Sequence, residues 1–321
     1  MYRTWVDLSW GSPLTIKPRN GSLILMYHGV DILGSKRFNL RHMPLSDFIH
    51  QLEWLHTHCQ VVDLREIFSE KDREESSKPR VAITFDDAFR NVFKYAVPEL
   101  VKRKLPATIF VTGVNRLDCD ILWGDMVSLA RTLVKEDVTV NGRTFRYVPG
   151  EEHKDPDSGE SLSEVCHKND YRFKHEMIEA FGKKFDRYKD ELLDYWQLMS
   201  DDEIRKTADT SCVRIGSHAW YHNNLPNVPL EMAREELISS KNYLHDLVGY
   251  DIQTLAYPDG DYSPQLVDVA YDLGLTCQCT TETYIGDTTN DPRIRTRVGL
   301  YPAYSWKNQL NYAFRNAIHP I

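Results

Sequence analysis

The chain has 321 residues, enough for one large α/β domain or two ordinary ones and too many for a small stapled module. Hydrophobic residues make up 41% and charged residues 27%, a globular rather than a disordered composition. A formal net charge of −8, with no lysine- or arginine-rich block, excludes nucleic acid as the natural partner, because phosphate binding needs a basic face.

Residues 1–20 predict an irregular lead-in, interrupted by Pro13 and Pro18. No charged stretch followed by an apolar core opens the chain, and no apolar run is long enough to span a bilayer. With Met1 taken as the native start, the expectation is a cytoplasmic protein without an integral membrane segment. The six cysteines are scattered, and the Cys277/Cys279 spacing is not a common zinc pattern, so all six read as reduced and structural.

"SLILMYHGV" (22–30) predicts a buried strand ending at His28–Gly29. Phe48, Leu52 and Leu55 recur at helical spacing in 44–58, and "CQVVDL" (59–64) reads as another short strand. The charged stretch 69–80 reads as a solvated loop. "VAITF" (81–85) is a strand that ends in two adjacent carboxylates, Asp86 and Asp87. A helix over 92–104 and a strand over 107–113 follow, and the alternation argues for a mostly parallel sheet with crossover helices.

The alternation breaks between about 115 and 210. Here a helix near "WGDMVSLARTLVK", a tight hairpin at Asn141–Gly142, a polar loop and two further helical stretches predict a long insertion forming a cap or lid. "SDDE" (200–203) has capping-box spacing. Strand 212–218 ends in His218, and a helix over 230–248 has a glycine just past its end. Strand into turn at 254–262, helix 263–274 and strand 275–281 complete the pattern. The whole reads as a single domain over 1–321.

Three strands thus end in His28, Asp86–Asp87 and His218, and α/β folds of this kind place ligands at the carboxyl ends of parallel strands. His222 follows His218 at a spacing that lets two imidazoles point the same way. With one carboxylate they form a facial set that leaves positions open for water and substrate. Asp87 as ligand would let a cation offset its repulsion with Asp86, leaving Asp86 as a base. An Asp pair at a strand end also serves as a helix cap, and that reading stays open here.

"TFDDAFRN" and "SHAWYH" resemble the first two motifs of the polysaccharide deacetylases (carbohydrate esterase family 4, the NodB-homology domain). "ILMYHGV", "PATIFVTG" and "AYPDGDY" lie in the expected order, so the resemblance covers roughly 22–114 and 211–300. It implies a distorted (β/α) barrel and hydrolysis of an acetyl group, usually the N-acetyl of an amino sugar. Asp86 would be the base, while Asp87, His218 and His222 would hold one divalent metal, zinc first with cobalt or nickel as substitutes. The turn of Tyr257, Pro258 and Asp259 would supply an oxyanion donor, the Asp259 N–H. The strand-like "LILMYH" resembles the exopolysaccharide-modifying branch with circularly permuted strand order, so His28 is chosen over His319 as general acid.

Several positions depart from the family pattern. Ala88 replaces a glycine, Ala219 a hydroxyl residue, and Ala256 an arginine that orients the catalytic aspartate. Arg297, with Arg295 as second choice, would supply that charge from another strand. Asp259 stands where tyrosine is frequent. Trp220, Tyr221, Tyr257 and Tyr262 are candidates to stack on sugars, as are Trp123 and Trp196 in the insertion. The reading is a metal-dependent N-deacetylase of an acetylated amino sugar in a glycan, a lipid-linked saccharide or a sugar nucleotide. Rivals are a hydrolase of an O-acetyl or N-formyl group and a non-catalytic glycan-binding relative.

Overall fold

The structure, a computed structural model, describes residues 22–32, 39–69, 78–117, 119–185, 189–281 and 291–316. Thirteen strands are described: β1 (Ser22–Tyr27), β2 (Gly29–Asp31), β3 (His42–Pro44), β4 (Gln60–Val61), β5 (Arg80–Phe85), β6 (Ala107–Val111), β7 (Val138–Val140), β8 (Arg143–Phe145), β9 (Val213–Ser217), β10 (Thr254–Ala256), β11 (Cys277–Thr280), β12 (Ile294–Thr296) and β13 (Val298–Gly299). Nine of them form one sheet in the order β12-β11-β10-β9-β6-β5-β1-β13, with β4 paired beside β5. Every pairing in that sheet is parallel.

The two ends of the sheet are consecutive in the chain. β12 pairs β11 and β13 pairs β1, with only Arg297 between them, so the extended segment 294–299 brings the sheet round into a nearly closed barrel. Alternation along the strands then separates two apolar clusters. Leu23, Leu25, Val81, Ile83, Phe85, Ile109 and Val111 belong to the large cluster under the helices. Ile24, Ala82, Phe110, Ala256 and Cys279 form a small cluster on the opposite face, inside the barrel. The helix Leu45–His58 illustrates the covering layer: Phe48, Leu52, Trp54 and Leu55 are buried on one stripe. Each such side chain contributes roughly 1.5–3 kcal/mol by leaving water.

Differences from the sequence reading have local causes. The strand expected over 59–64 is only Gln60–Val61, because Asp63 caps a short helix, Leu64–Phe68, accepting from Arg65 N while Glu66 accepts from Asp63 N. The helix expected over 92–104 opens with a wide turn, Val92–Ala96, and becomes α-helical at Val97–Arg103, where Pro98 needs no amide donor. β12, β13 and the helix Trp306–Asn316 were not expected at all. The lead-in, most of the charged loop and His319 lie outside the described residues.

Between the neighbouring strands β6 and β9 the chain builds helices at Trp123–Leu133, Leu162–Lys168, Tyr171–Phe185, Lys189–Trp196 and Asp201–Ala208, plus the β7–β8 hairpin. Asn141 and Gly142 take positive φ of 49° and 72°, as a two-residue hairpin turn requires. Ser161 and Ser200 each close a capping box, with Glu164 and Glu203. Among the described residues no helix is long and apolar enough to cross a membrane.

Candidate metal centre

The strand β5 runs Ala82, Thr84, Asp86 along its inner face, so Asp86 follows the period-2 rule into the barrel mouth. Arg297 meets it there with two parallel hydrogen bonds, Nη1 to Oδ1 at 2.6 Å and Nη2 to Oδ2 at 2.7 Å. The guanidinium also donates to Thr84 Oγ1 at 3.3 Å and lies over the Phe110 ring at 5.3 Å. Burial pushes the Asp86 carboxyl up, and Arg297 with His218 more than reverses this, leaving it below the ordinary carboxylate range. Arg295 instead donates to the Asp291 and Ile294 carbonyls. The positive charge absent at Ala256 thus reaches Asp86 from residue 297, where the barrel closes.

Asp87 is turned the other way by a backbone at φ 70°, and Ala88, Ala219, His222 and Asp259 also take positive φ. Among the described residues, five of the seven non-glycine residues with this costly geometry therefore stand in these loops, where surrounding packing holds them. Asp87 Oδ1 lies 3.5 Å from His218 Nε2 and 3.4 Å from His222 Nε2. His218 Nδ1 donates to the Ala256 carbonyl at 2.7 Å, which fixes its proton there and leaves Nε2 bare. The loop is fastened by a chain of contacts: Lys174 Nζ donates to Asn223 Oδ1, Asn223 Nδ2 to Glu236 Oε1, and Tyr221 N to Glu236 Oε2.

These three side chains fit a metal ion. Their ligand atoms all lie within 4.8 Å of one another. Asp87 Oδ1 is buried with no hydrogen-bond partner, a costly state that a cation would relieve. Ligands at 2.0–2.1 Å from zinc in tetrahedral array stand roughly 3.4 Å apart, the spacing seen between Oδ1 and the two imidazoles. Charge agrees as well: the carboxylates of Asp86, Asp87 and Asp125 are met by the guanidinium groups of Arg41 and Arg297, one positive charge fewer than the negative ones.

Arg41 and Asp125 escaped the sequence reading, since neither belongs to a recognisable motif. Arg41 Nη1 donates to Asp87 Oδ2 at 3.1 Å and Nη2 to Asp125 Oδ1 at 2.5 Å. Burial pushes Asp125 up to about 6 against the pull of Arg41. His28, just past β1, is half-buried near the same charges, and burial followed by Arg41 brings its imidazole down to about 4. Asp259 pairs with His167 Nδ1 at 3.3 Å, so the helix Leu162–Lys168 touches the turn expected to hold the oxyanion donor.

The expected sugar-stacking aromatics are differently placed. Tyr257 and Tyr262 are fully buried, Tyr257 donating its hydroxyl to Gln278 Oε1, and Pro258 is buried beside them. Trp220 lies on Gly113 and edge-on to Tyr243, while Tyr221 stacks on Tyr171. Trp123 and Trp196 are also buried; Trp123 packs against His167 and under the Lys174 ammonium. All six cysteines are free.

A family profile described as polysaccharide deacetylase matches residues 73–278. The chain belongs to the polysaccharide deacetylase family. Poly-beta-1,6-N-acetyl-D-glucosamine N-deacetylase of Staphylococcus epidermidis is 30% identical over 105 residues, 29% of this chain and 36% of that protein. The enzyme of the same name from Staphylococcus aureus is 31% identical over 113 residues, 31% of this chain and 39% of that protein. The chain thus spans little more than a third of the length of these relatives. Solved polysaccharide deacetylases share its barrel. The Streptococcus pyogenes deacetylase PplD, in complex with acetate, superposes with a TM-score of 0.60 at 17% identity, covering 94% of this chain and 99% of that one. IcaB from Ammonifex degensii gives 0.57 at 18% identity, covering 92% and 97%.

Proposed function

We propose that the protein is a metal-dependent N-deacetylase that hydrolyses the acetamide of an N-acetylated amino sugar in an exopolysaccharide-type glycan. The observation that carries this is the buried, unpartnered Asp87 Oδ1 facing two imidazole Nε2 atoms, beside an Asp86 clamped by Arg297. Asp87, His218 and His222 would hold the ion, zinc first and cobalt or nickel as substitutes. When bound, the ion supplies Lewis acidity toward water and the acyl oxygen.

The chain's own residues divide the remaining work. Asp86 takes the proton of the attacking water, and Arg297 keeps that carboxylate charged and aimed. The Asp259 N–H, on a backbone at φ 59°, donates to the developing oxyanion. His28, being neutral in the free protein, passes to the leaving nitrogen the proton that Asp86 took from the attacking water. The described part of segment 115–210 forms a wall of the cleft as part of one functional unit, its Asp125 reaching Asp87 through Arg41 and its His167 meeting Asp259.

The names of the staphylococcal relatives make β-1,6-linked N-acetylglucosamine the first substrate to try. An arginine missing at Ala256 is the feature that favours a non-catalytic glycan binder, and the Arg297–Asp86 pair, which brings a guanidinium to Asp86, supports the catalytic reading instead. A cytoplasmic setting is part of this proposal, and fractionation of the native protein tests it. The decisive experiment is elemental analysis of the wild type beside Asp87→Ala, followed by acetate-release assays. About one divalent ion per wild-type chain, absent from the variant, together with acetate release from N-acetylated oligosaccharides, is the expected result. Release only from O-acetyl or N-formyl substrates would redirect the substrate class, and no ion in either protein would remove the metal reading.

A further inference from the structure

Asp87 has two carboxylate oxygens in two different environments. Oδ1 faces His218 and His222, whereas Oδ2 accepts from Arg41 Nη1. Arg41 is itself anchored: Nη2 donates to Asp125 Oδ1, its backbone N–H donates to Asn39 Oδ1 at 2.9 Å, and its guanidinium lies 5.7 Å from the Phe89 ring centroid. Asp125 is in turn held by Asn39 Nδ2 at 2.8 Å and is 3% exposed, on the helix Trp123–Leu133. A guanidinium fixed in this way occupies the lone pairs of Oδ2 that face it.

We propose that Arg41, positioned by Asp125, limits Asp87 to one ligating oxygen and so keeps coordination positions free for water and substrate. The inference rests on the metal reading above. A carboxylate free to turn takes a cation through both oxygens and fills a position that hydrolysis needs open. Arg41 is a positioning residue in this scheme: it acts through Asp87. It also explains why the insertion sends a buried carboxylate to the barrel mouth, since Asp125 compensates a cation that would otherwise repel the metal.

The test is titration of the metal-free protein with cobalt(II), read by visible absorption, alongside turnover. The wild type is compared with R41M, R41K and D125N. In R41M cobalt affinity is held or raised, because Asp87 gains a second ligating oxygen. The absorption band falls about twofold or more as coordination number rises, and turnover drops on the order of 10- to 100-fold. R41K, which still donates to Oδ2, recovers the band at least in part, and D125N moves it in the same direction as R41M by less. A merely structural role predicts lost affinity with lost thermal stability, and that pattern overturns the proposal, as does a folded R41M with the wild-type band. If R41M does not fold, D125N decides: an unmoved band overturns the proposal. A wild type with no cobalt band overturns the metal reading itself, a result distinct from failure of Arg41 alone.

Discussion

Asp86 sits 3% exposed with both oxygens accepting from Arg297, itself 1% exposed. Two charges so deeply buried are tolerable only together, since each alone would lose its hydration without a partner. Arg297→Met therefore leaves an uncompensated carboxylate and is expected to cost about 3–5 kcal/mol of stability, measured by urea unfolding. Adding Asp86→Asn to that variant should return part of the loss; an unchanged loss would show that Arg297 acts through Phe110 packing instead. Asp86→Asn alone probes the chemistry. Metal content should stay at the wild-type level while turnover falls on the order of 100- to 10,000-fold, and near-normal turnover would remove Asp86 as the base. The same logic separates the candidate acids, because His28→Ala should lower kcat without changing metal content, whereas an equal loss from His319→Ala alone would reverse that choice.

At the scale of elements, the loop after β9 that carries His218 and His222 is held by its neighbours as much as by its own sequence. Gly113 donates its N–H to the Trp220 carbonyl at 2.9 Å, and a Cβ on Gly113 would meet the Trp220 ring at 2.3 Å. Gly113→Ala is thus expected to displace the loop and weaken zinc binding on the order of 10-fold without touching a ligand; wild-type affinity by chelator competition would refute that coupling. A second joint, His167 with Asp259, ties the insertion to the turn proposed to hold the oxyanion donor. The Asp259 hydrogen bond raises the His167 imidazole, so its contribution is fully present below about 6.5 and is lost as pH rises through the higher folded value. Asp259 is pushed up by burial but brought down to about 2 by His167, so its contribution is present above about 3.8 and fades only near pH 2. His167→Asn should therefore lower Tm most near pH 5 and least above pH 8, by less than about 1 kcal/mol because the pair is partly exposed. A Tm difference independent of pH would mean that Trp123 packing, not the ion pair, joins these elements. Asp86, Asp87, His218 and His222 were legible because strand ends and motif spacing mark them. Arg41, Asp125 and Lys174 were not: each lies in an ordinary-looking segment and gains its meaning only when the insertion folds against the barrel.

Across the whole molecule the parallel barrel was legible from the alternation of apolar runs and helices, but its closure was not. β12 and β13 are three and two residues long, too short to leave a period, and they matter only because β1, near residue 25, waits for Val298. Closure sets Arg297 opposite Asp86 and gives the centre its fixed frame. The candidate metal ligands span that frame: Asp87 follows β5 and the two histidines follow β9, with β6 between those strands. An ion held by all three therefore links non-adjacent strands, and it exists only in the folded state. Binding of that kind stabilises by mass action, about 2.7 kcal/mol when free metal is a hundredfold above Kd. For a chain of this size each kcal/mol moves Tm by roughly 2 °C, so zinc at that excess should raise Tm by about 5 °C over the chelated protein. The rise should continue with the logarithm of zinc concentration and should be absent in Asp87→Ala. An equal rise in Asp87→Ala would place the ion elsewhere on the protein, because removing Asp87 deletes the one carboxylate that joins the two halves of the centre.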